Sequence, residues 1–381
     1  MLLRQFWLYR ITRALRKRPI VWLAGVRRVG KTTLCRQKGA AHYYDCELPS
    51  TRRLLEDPEY FWREQHPPLV ILDEIHRLID PSNVLKIAHD HFPNIRVVAT
   101  GSSTLAAKHK FKDTLTGRKI DVWLQPLLVS ELGIERKSDL EKRLLRGGLP
   151  PAYFAKTMSD TFYTEWLDSF WSKDVQELFP VERKTSFLKL AELLLRQSGG
   201  IFEASSFAGP CEISRQTVTN YQEILETTLF ATALRPFDRG RSNEVIRAPK
   251  VYAFDTGFVC FTKGWSSLRP EDFGLLLEHL VLEELLARFD RSAIYYWRDK
   301  QQHEIDFIVK RGRGEEVDLI ECKSSQRAFD PSAAVVFRKH SPKGLNYLVA
   351  GDMSSYERRT IAGLPFHCLT IQTLASRLDR T

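Results

Sequence analysis

The stretch that most constrains this chain is VWLAGVRRVGKTTL, Val21 to Leu34. Four apolar or aromatic residues, Val21 to Ala24, predict a buried strand. Gly25-Val26-Arg27-Arg28-Val29-Gly30-Lys31-Thr32 then satisfies G-x-x-x-x-G-K-S/T at each fixed position. The glycines let the backbone curl until successive N–H groups face one anion, Lys31 reaches the β- and γ-phosphates, and the Thr32 hydroxyl suits Mg²⁺. The helix that follows, starting with Thr33, adds the positive end of its dipole at the same point. Gly25, Arg27, Arg28, Val29, Gly30, Lys31, Thr32 and Thr33 are therefore expected to line a site for ATP with Mg²⁺.

A second carboxylate-bearing strand is expected in PPLVILDEIHRL, where Leu69 to Leu72 are consecutive apolar residues, the pattern of a central parallel strand. The strand ends in Asp73-Glu74; the first acid suits the Mg²⁺ shell and the second suits polarisation of an attacking water. A further strand, Ile95 to Ala99, finishes in Thr100-Gly101-Ser102-Ser103. Ligands of parallel α/β sheets sit beyond the carboxyl ends of the strands, so Thr100 or Ser102 is expected near the γ-phosphate. Arg118 follows a small turn and reads either as an arginine finger for a neighbouring subunit or as an ordinary surface arginine. His76 either borders the nucleotide site or is simply exposed.

With 381 residues the chain has room for about two or three domains. Its 43% hydrophobic and 27% charged residues are those of globular protein. No run of about 18 apolar residues offers a membrane span, and arginines interrupt the N-terminal stretch where an export signal needs an apolar core. Six scattered cysteines form no C-x-x-C pair, so neither zinc nor redox chemistry is expected, and the reducing cytoplasm is the expected location. The formal charge of +10 favours an anionic partner such as DNA. Arg4, Arg10, Arg13, Arg16, Lys17 and Arg18 surround an amphipathic helix expected over Phe6 to Arg18, ended by Pro19. Its basic face is open to two readings, a solvated surface or one facing DNA or a subunit.

GVRRVGKTT, LVILDE, ATGSS, LTGR and GGLPPAYF (Gly147 to Phe154), in this order, resemble a prokaryotic family of AAA-type ATPases. Its members carry a C-terminal domain of unknown function with a nuclease-like fold, and the resemblance covers nearly the whole chain. AAA-type ATPases often work as hexamers, so the resemblance implies a homo-oligomer.

From Thr185 short helical patterns follow one another. Phe187, Leu190, Ala191, Leu194 and Leu195 share one face; a short helix is expected near Glu203 to Phe207, and Ser214 is placed to cap another over Arg215 to Thr228. With the apolar segments Leu229 to Leu234 and Val251 to Phe254, this resembles a winged helix-turn-helix whose third helix would present Arg215, Gln216 and Thr219 to DNA. Acids offset most of the bases there, so a winged helix used for packing or oligomerisation is the other reading.

In the helix expected over Glu271 to Phe289, Glu278 lies among Leu275, Val281 and Leu282, whereas Glu283 and Glu284 sit nearer the polar side. A buried carboxylate needs a cation. Asp306 falls in one predicted strand, and Glu321 and Lys323 share a face of the next at roughly 7 Å. A helical Glu, a strand Asp and Glu-x-Lys resemble the PD-(D/E)XK nuclease superfamily. This implies Mg²⁺ held by Asp306 and Glu321, supported by Glu278, with Lys323 orienting water or steadying the phosphorane charge. The fold without turnover is the other possibility.

The expected architecture is α/β throughout: an AAA-type P-loop parallel sheet with helical extension over 1–180, a winged helix over 181–255, and a restriction-endonuclease-like domain over 256–381. Two functions remain open. In one, nucleotide state controls a Mg²⁺-dependent nuclease-like tail acting on DNA, branched and invading forms included. In the other, an ATP-driven signalling or remodelling protein has a catalytically silent tail.

Overall fold

The computed structural model describes residues 2–39, 41–64, 69–101, 115, 117–238, 248–312 and 314–379. Ser102 lies outside them, so its expected place at the γ-phosphate is not addressed. The chain forms two compact units: Met1–Gln125 with Thr164–Glu182 and Thr227–Phe230, and Pro126–Tyr163 with Arg183–Glu226 and Ala231–Thr381.

In the first unit, β1 (Ile20–Ala24), β2 (His42–Asp45), β3 (Leu69–Asp73), β4 (Arg96–Gly101) and β5 (Lys119–Trp123) form a wholly parallel sheet in the order β2-β3-β4-β1-β5. β1 is buried along its whole length, as an unbroken apolar run requires when both faces of a sheet are covered. One face packs Trp22, Leu72 and Val97 against Phe61, Trp62 and Leu85 of the Pro58–Arg63 and Pro81–His91 helices. Asp57 and Asp80 cap these two helices, each followed by proline at the first helical position. The N-terminal helix runs Gln5–Lys17 and buries Trp7, Ile11, Ala14 and Leu15, leaving Arg13, Arg16 and Lys17 exposed.

Register positions the site. Leu72 pairs with Ala99 and Leu23 pairs with Thr100, so the carboxyl ends of β3, β4 and β1 lie level. Gly25, Asp73 and Thr100 are brought together from separate parts of the sequence by that alignment. Arg118 precedes β5, whose first residue pairs with Ile20, so it lies at the opposite end of the sheet from the loop after β1.

In the second unit, helices Lys184–Arg196, Ala204–Cys211 and Arg215–Thr227 accompany a small antiparallel sheet of β6 (Gly200–Ile201), β7 (Ala231–Leu234) and β8 (Lys250–Ala253), with β8 central. Ser214 Oγ accepts the Thr217 N–H at 3.1 Å, the expected cap. A mixed six-stranded sheet follows: β9 (Ile294–Arg298), β10 (Glu304–Lys310), β11 (Val317–Lys323), β12 (Asn346–Ala350), β13 (Glu357–Ile361) and β14 (Leu364–Leu369), in the order β13-β14-β12-β11-β10-β9. Leu276, Leu280, Phe307, Ile320 and Val349 pack on one face of it, and Ile308, Leu319, Phe337 and Leu348 on the other. The Pro270–Arg288 and Ser332–His340 helices supply the covers. The glycines of GGLP make room for a buried acid: Gly148 N–H donates to Asp255 at 2.6 Å, and a Cβ on Gly147 would stand 1.9 Å from the same carboxylate.

Glu283 and Glu284, expected nearer the polar side of their helix, do not mark an exposed side. Both are buried, because the Pro270–Arg288 helix is covered on nearly every side. Glu283 is paired with Arg143, and Glu284 accepts Ser130 N–H and Oγ–H at 2.9 and 2.8 Å and Arg288 Nη1 at 2.6 Å. Acids that look polar by helical spacing are tolerated inside because each has its own donors.

Candidate functional site

The loop after β1 has the geometry its sequence requires. Gly30 has φ 100°, a left-handed conformation that a side chain would strain, and Arg28 also has positive φ. A Cβ on Gly25 would stand 2.8 Å from the Leu124 carbonyl oxygen, so only glycine lets the loop leave β1 beside β5. Buried Lys31 donates to the Gly25 and Val26 carbonyls at 2.9 and 3.3 Å. An ammonium has three donors, so one N–H remains for a phosphate oxygen. Arg27 is held from outside the loop: its Nε donates to buried Asp174 at 2.9 Å, and its carbonyl accepts Trp166 Nε1–H at 2.9 Å. Asp174 comes from a π-helical turn, Phe170–Val175, of the kind that often marks functional sites. Val29 is fully buried, and Thr33 continues the helix Lys31–Arg36.

Asp73 is the hub. Its Oδ2 accepts Thr32 Oγ1–H at 2.7 Å and Tyr43 O–H at 2.6 Å, and its Oδ1 accepts the hydroxyl of Thr100. The Thr100 oxygen in turn accepts the Glu74 N–H at 3.0 Å. Glu74 sits at φ 50°, a strained conformation for a non-glycine residue, with Oε2 3.1 Å from His76 Nδ1. Burial alone raises the Glu74 carboxyl, but the His76 ring together with Lys31 and Arg27 outweighs it and holds the group down to about 2. Thus His76 borders the site. Thr32 and Asp73 together present the hard oxygens that Mg²⁺ takes, so the donor set fits that ion.

Arg118 lies at the end of the sheet away from its own chain's loop. Its Nε and Nη2 donate to Asp90 at 3.0 and 3.2 Å at the amino end of the sheet. Arg215 and Gln216 are exposed on their helix, Gln216 donating to Asn220 at 3.0 Å, while Thr219 is half-buried and donates to the Arg215 carbonyl.

The other acids expected to act together do gather in the second unit, in company with two lysines. β10 shifts register against β9 between Ile305 and Ile308, and Asp306 lies within that irregularity, a device that re-aims side chains. Asp306 Oδ2 accepts the Cys322 N–H at 2.7 Å and Lys323 Nζ at 3.2 Å; Lys323 also bonds Glu321 at 2.6 Å. Glu278 accepts Tyr252 O–H at 2.8 Å and Lys250 Nζ at 3.1 Å, and Lys250 also bonds Glu304 at 2.8 Å. Burial, followed by the Asp306 charge, raises both Glu278 and Glu321 above the ordinary glutamate range. Among the described residues no three His, Cys, Asp or Glu side chains converge as a metal-binding group. As placed, the tail carboxylates are engaged by the ammonium groups of Lys250 and Lys323.

A parallel sheet with a phosphate loop after β1, the strand between β4 and β5, and a Thr–Asp pair at the Mg²⁺ position defines the class of P-loop ATPases. Residues 17–133 match the family model described as AAA domain, so the chain carries an AAA-type ATPase domain. Residues 137–269 and 273–369 match two domains of unknown function, DUF8612 and DUF4143. Uncharacterised proteins of Mycobacterium tuberculosis and Mycobacterium bovis are each 29% identical over 313 residues, covering 79% of this chain and 70% of theirs. Among solved structures, a Walker-type ATPase of Pyrococcus abyssi matches with TM-score 0.42 at 14% identity, covering 68% of this chain and 95% of its own. The Thermotoga maritima RuvB Holliday junction branch migration motor matches with TM-score 0.30 at 18% identity, covering 63% and 91%. Among the described residues no helix is long and apolar enough to cross a membrane.

Proposed function

We propose that this chain binds and hydrolyses ATP, and that its nucleotide state controls a tail acting on DNA. The observation that carries the ATPase reading is the Thr32–Asp73 bond of 2.7 Å beside a Lys31 folded onto its own loop, which is the geometry of an assembled phosphate site. Lys31 and the loop N–H groups hold the phosphates. Thr32 and Asp73 would hold Mg²⁺, which supplies charge neutralisation on the phosphate oxygens when bound. Glu74, ionised at neutral pH, accepts a hydrogen bond from the attacking water and turns its lone pair toward phosphorus. A carboxylate held this acidic is a weak proton acceptor, so its contribution is orientation and charge more than proton storage. Arg118, held by Asp90 at the end of the sheet away from its own loop, would complete the site of a neighbouring subunit in a homo-oligomer, a hexamer by analogy with other AAA-type ATPases.

The DNA reading is supported by three short helices followed by antiparallel strands, as in a winged helix, with Arg215 and Gln216 on an exposed face and Thr219 beside them. It is also supported by the net charge of +10 and by Lys323 bonding both Asp306 and Glu321, residues of the sequence pattern that resembles the PD-(D/E)XK nucleases. The test is binding and cleavage of linear, single-stranded and branched DNA with Mg²⁺ or Mn²⁺, with and without ATP. Asp306→Ala and Glu321→Ala should each abolish cleavage while ATP turnover stays intact. Absence of ATP-dependent binding and of cleavage on all substrates contradicts the DNA reading. A silent tail on an ATP-driven signalling or remodelling protein then stands, a reading favoured by the lysines already seated among the tail acids.

A further inference from the structure

The acid cluster of the second unit receives a cation from outside the residues that its sequence pattern brings together. Lys250 begins β8 of the small antiparallel sheet and falls within the 137–269 match, whereas Glu278, Glu304 and Asp306 fall within the 273–369 match. Lys250 is 4% exposed, and its ammonium lies 3.1 Å from Glu278 Oε2, 2.8 Å from Glu304 Oε1 and 4.0 Å from Asp306 Oδ1. Tyr252, two residues along β8, donates to the same Glu278 oxygen at 2.8 Å. β8 is itself fastened to the Pro270–Arg288 helix, because Ser198 Oγ accepts the Ala253 N–H at 2.6 Å and stands 2.6 Å from buried His279 Nε2. Lys250 is thus delivered to the cluster by a strand whose position is fixed.

We propose that Lys250 is the resident cation of this cluster and excludes divalent metal from it, so that the cluster admits metal only when Lys250 is withdrawn. Three reasons converge. The ammonium faces oxygens of all three acids, and Asp306 Oδ1 is the oxygen that Lys323 does not take. Ammonium–oxygen contacts of 2.8 and 3.1 Å are longer than the roughly 2.1 Å ligand distances of Mg²⁺, so these oxygens are spaced around an ammonium. A divalent ion and Lys250 would repel each other in a low-dielectric site, so both cannot occupy it.

The inference rests on the nuclease-like reading only in treating these acids as a cation site, and its test does not use DNA. Mn²⁺ binding is measured on the full chain by calorimetry and by loss of the free-ion paramagnetic resonance signal, for the wild type, Lys250→Met and Lys250→Arg. Lys250→Met should bind Mn²⁺ at least about tenfold more tightly than the wild type, because three carboxylates lose their internal cation. Lys250→Arg should stay closed, and Glu278→Gln added to Lys250→Met should remove the gain. Mn²⁺ binding attributable to the nucleotide loop is set aside by making all comparisons in a Thr32→Ala, Asp73→Ala background. Should Lys250→Met not fold, Lys250→Gln, neutral and able to hydrogen-bond Glu278, carries the same expectation. Equal Mn²⁺ affinity in the wild type and the neutral variants, or weaker binding in the variants, overturns the proposal even if DNA is cut. A gain in Mn²⁺ binding without any cleavage upholds it while the nuclease reading fails.

Discussion

Thr100 offers a sharp perturbation of the nucleotide site, because one hydroxyl serves two partners. It donates to Asp73 Oδ1 and accepts the Glu74 N–H at 3.0 Å, and the residue is fully buried. Thr100→Val keeps the shape and removes only that oxygen. A hydrogen bond to a charged group is worth about 1.5–3 kcal/mol, and a buried N–H left without a partner costs about 1–3 kcal/mol. Asp73 keeps Thr32 and Tyr43 on its other oxygen, so the loss should come to about 3 kcal/mol. With a urea slope of about 2 kcal/mol/M, that corresponds to a midpoint lowered by about 1.5 M. The assay is urea unfolding followed by tryptophan fluorescence, paired with steady-state ATP hydrolysis. Turnover should fall by more than nucleotide affinity does, since Thr100 positions the Glu74 backbone directly and Asp73 keeps its other hydrogen bonds. A midpoint within about 0.3 M of the wild type, with unchanged turnover, would refute the idea that this hydroxyl joins the two acids.

Other outcomes follow from the same geometry. Arg118→Ala should leave ATP binding by an isolated chain intact and lower hydrolysis in the assembled protein, with turnover partly restored on mixing with Glu74→Gln chains; loss of binding by the isolated chain contradicts this. The Glu74 carboxyl, held at about 2, lies below the ordinary glutamate range, so it stabilises the fold above about pH 4.3 and that contribution fades as pH falls toward 2. Acid unfolding of Glu74→Gln should therefore be less steep across that window than that of the wild type, and identical acid transitions would count against the His76–Lys31–Arg27 account. The ATPase rate should show no acidic limb from this group between pH 5 and 8.

Much of the nucleotide site was legible because its determinants are local: a glycine-rich turn between strand and helix, and an acid ending an apolar run. β1, β3 and the Arg215–Thr227 helix fall where apolar runs and caps place them. Tyr43 and Asp174 carried no such signal, since each reaches Asp73 or Arg27 only through the folded chain. Lys250 is the same case in the second unit: a lysine opening an apolar strand reads as an exposed strand end, and tertiary packing alone brings it to Glu278. Glu283 and Glu284 misled in the opposite direction, because periodicity reports which side of a helix is polar only when the helix has an exposed side.

The central claim, that the loop after β1 is a working ATPase site, is tested most directly by counting retained and hydrolysed ATP in the same samples of wild type, Lys31→Ala and Glu74→Gln. The wild type should do both, and Lys31→Ala neither, because it loses the charge facing the phosphates. Glu74→Gln should retain ATP while its turnover drops by about a hundredfold or more, since only water activation is impaired. Hydrolysis at the wild-type rate in both variants, or no nucleotide retained by the wild type, would contradict the account.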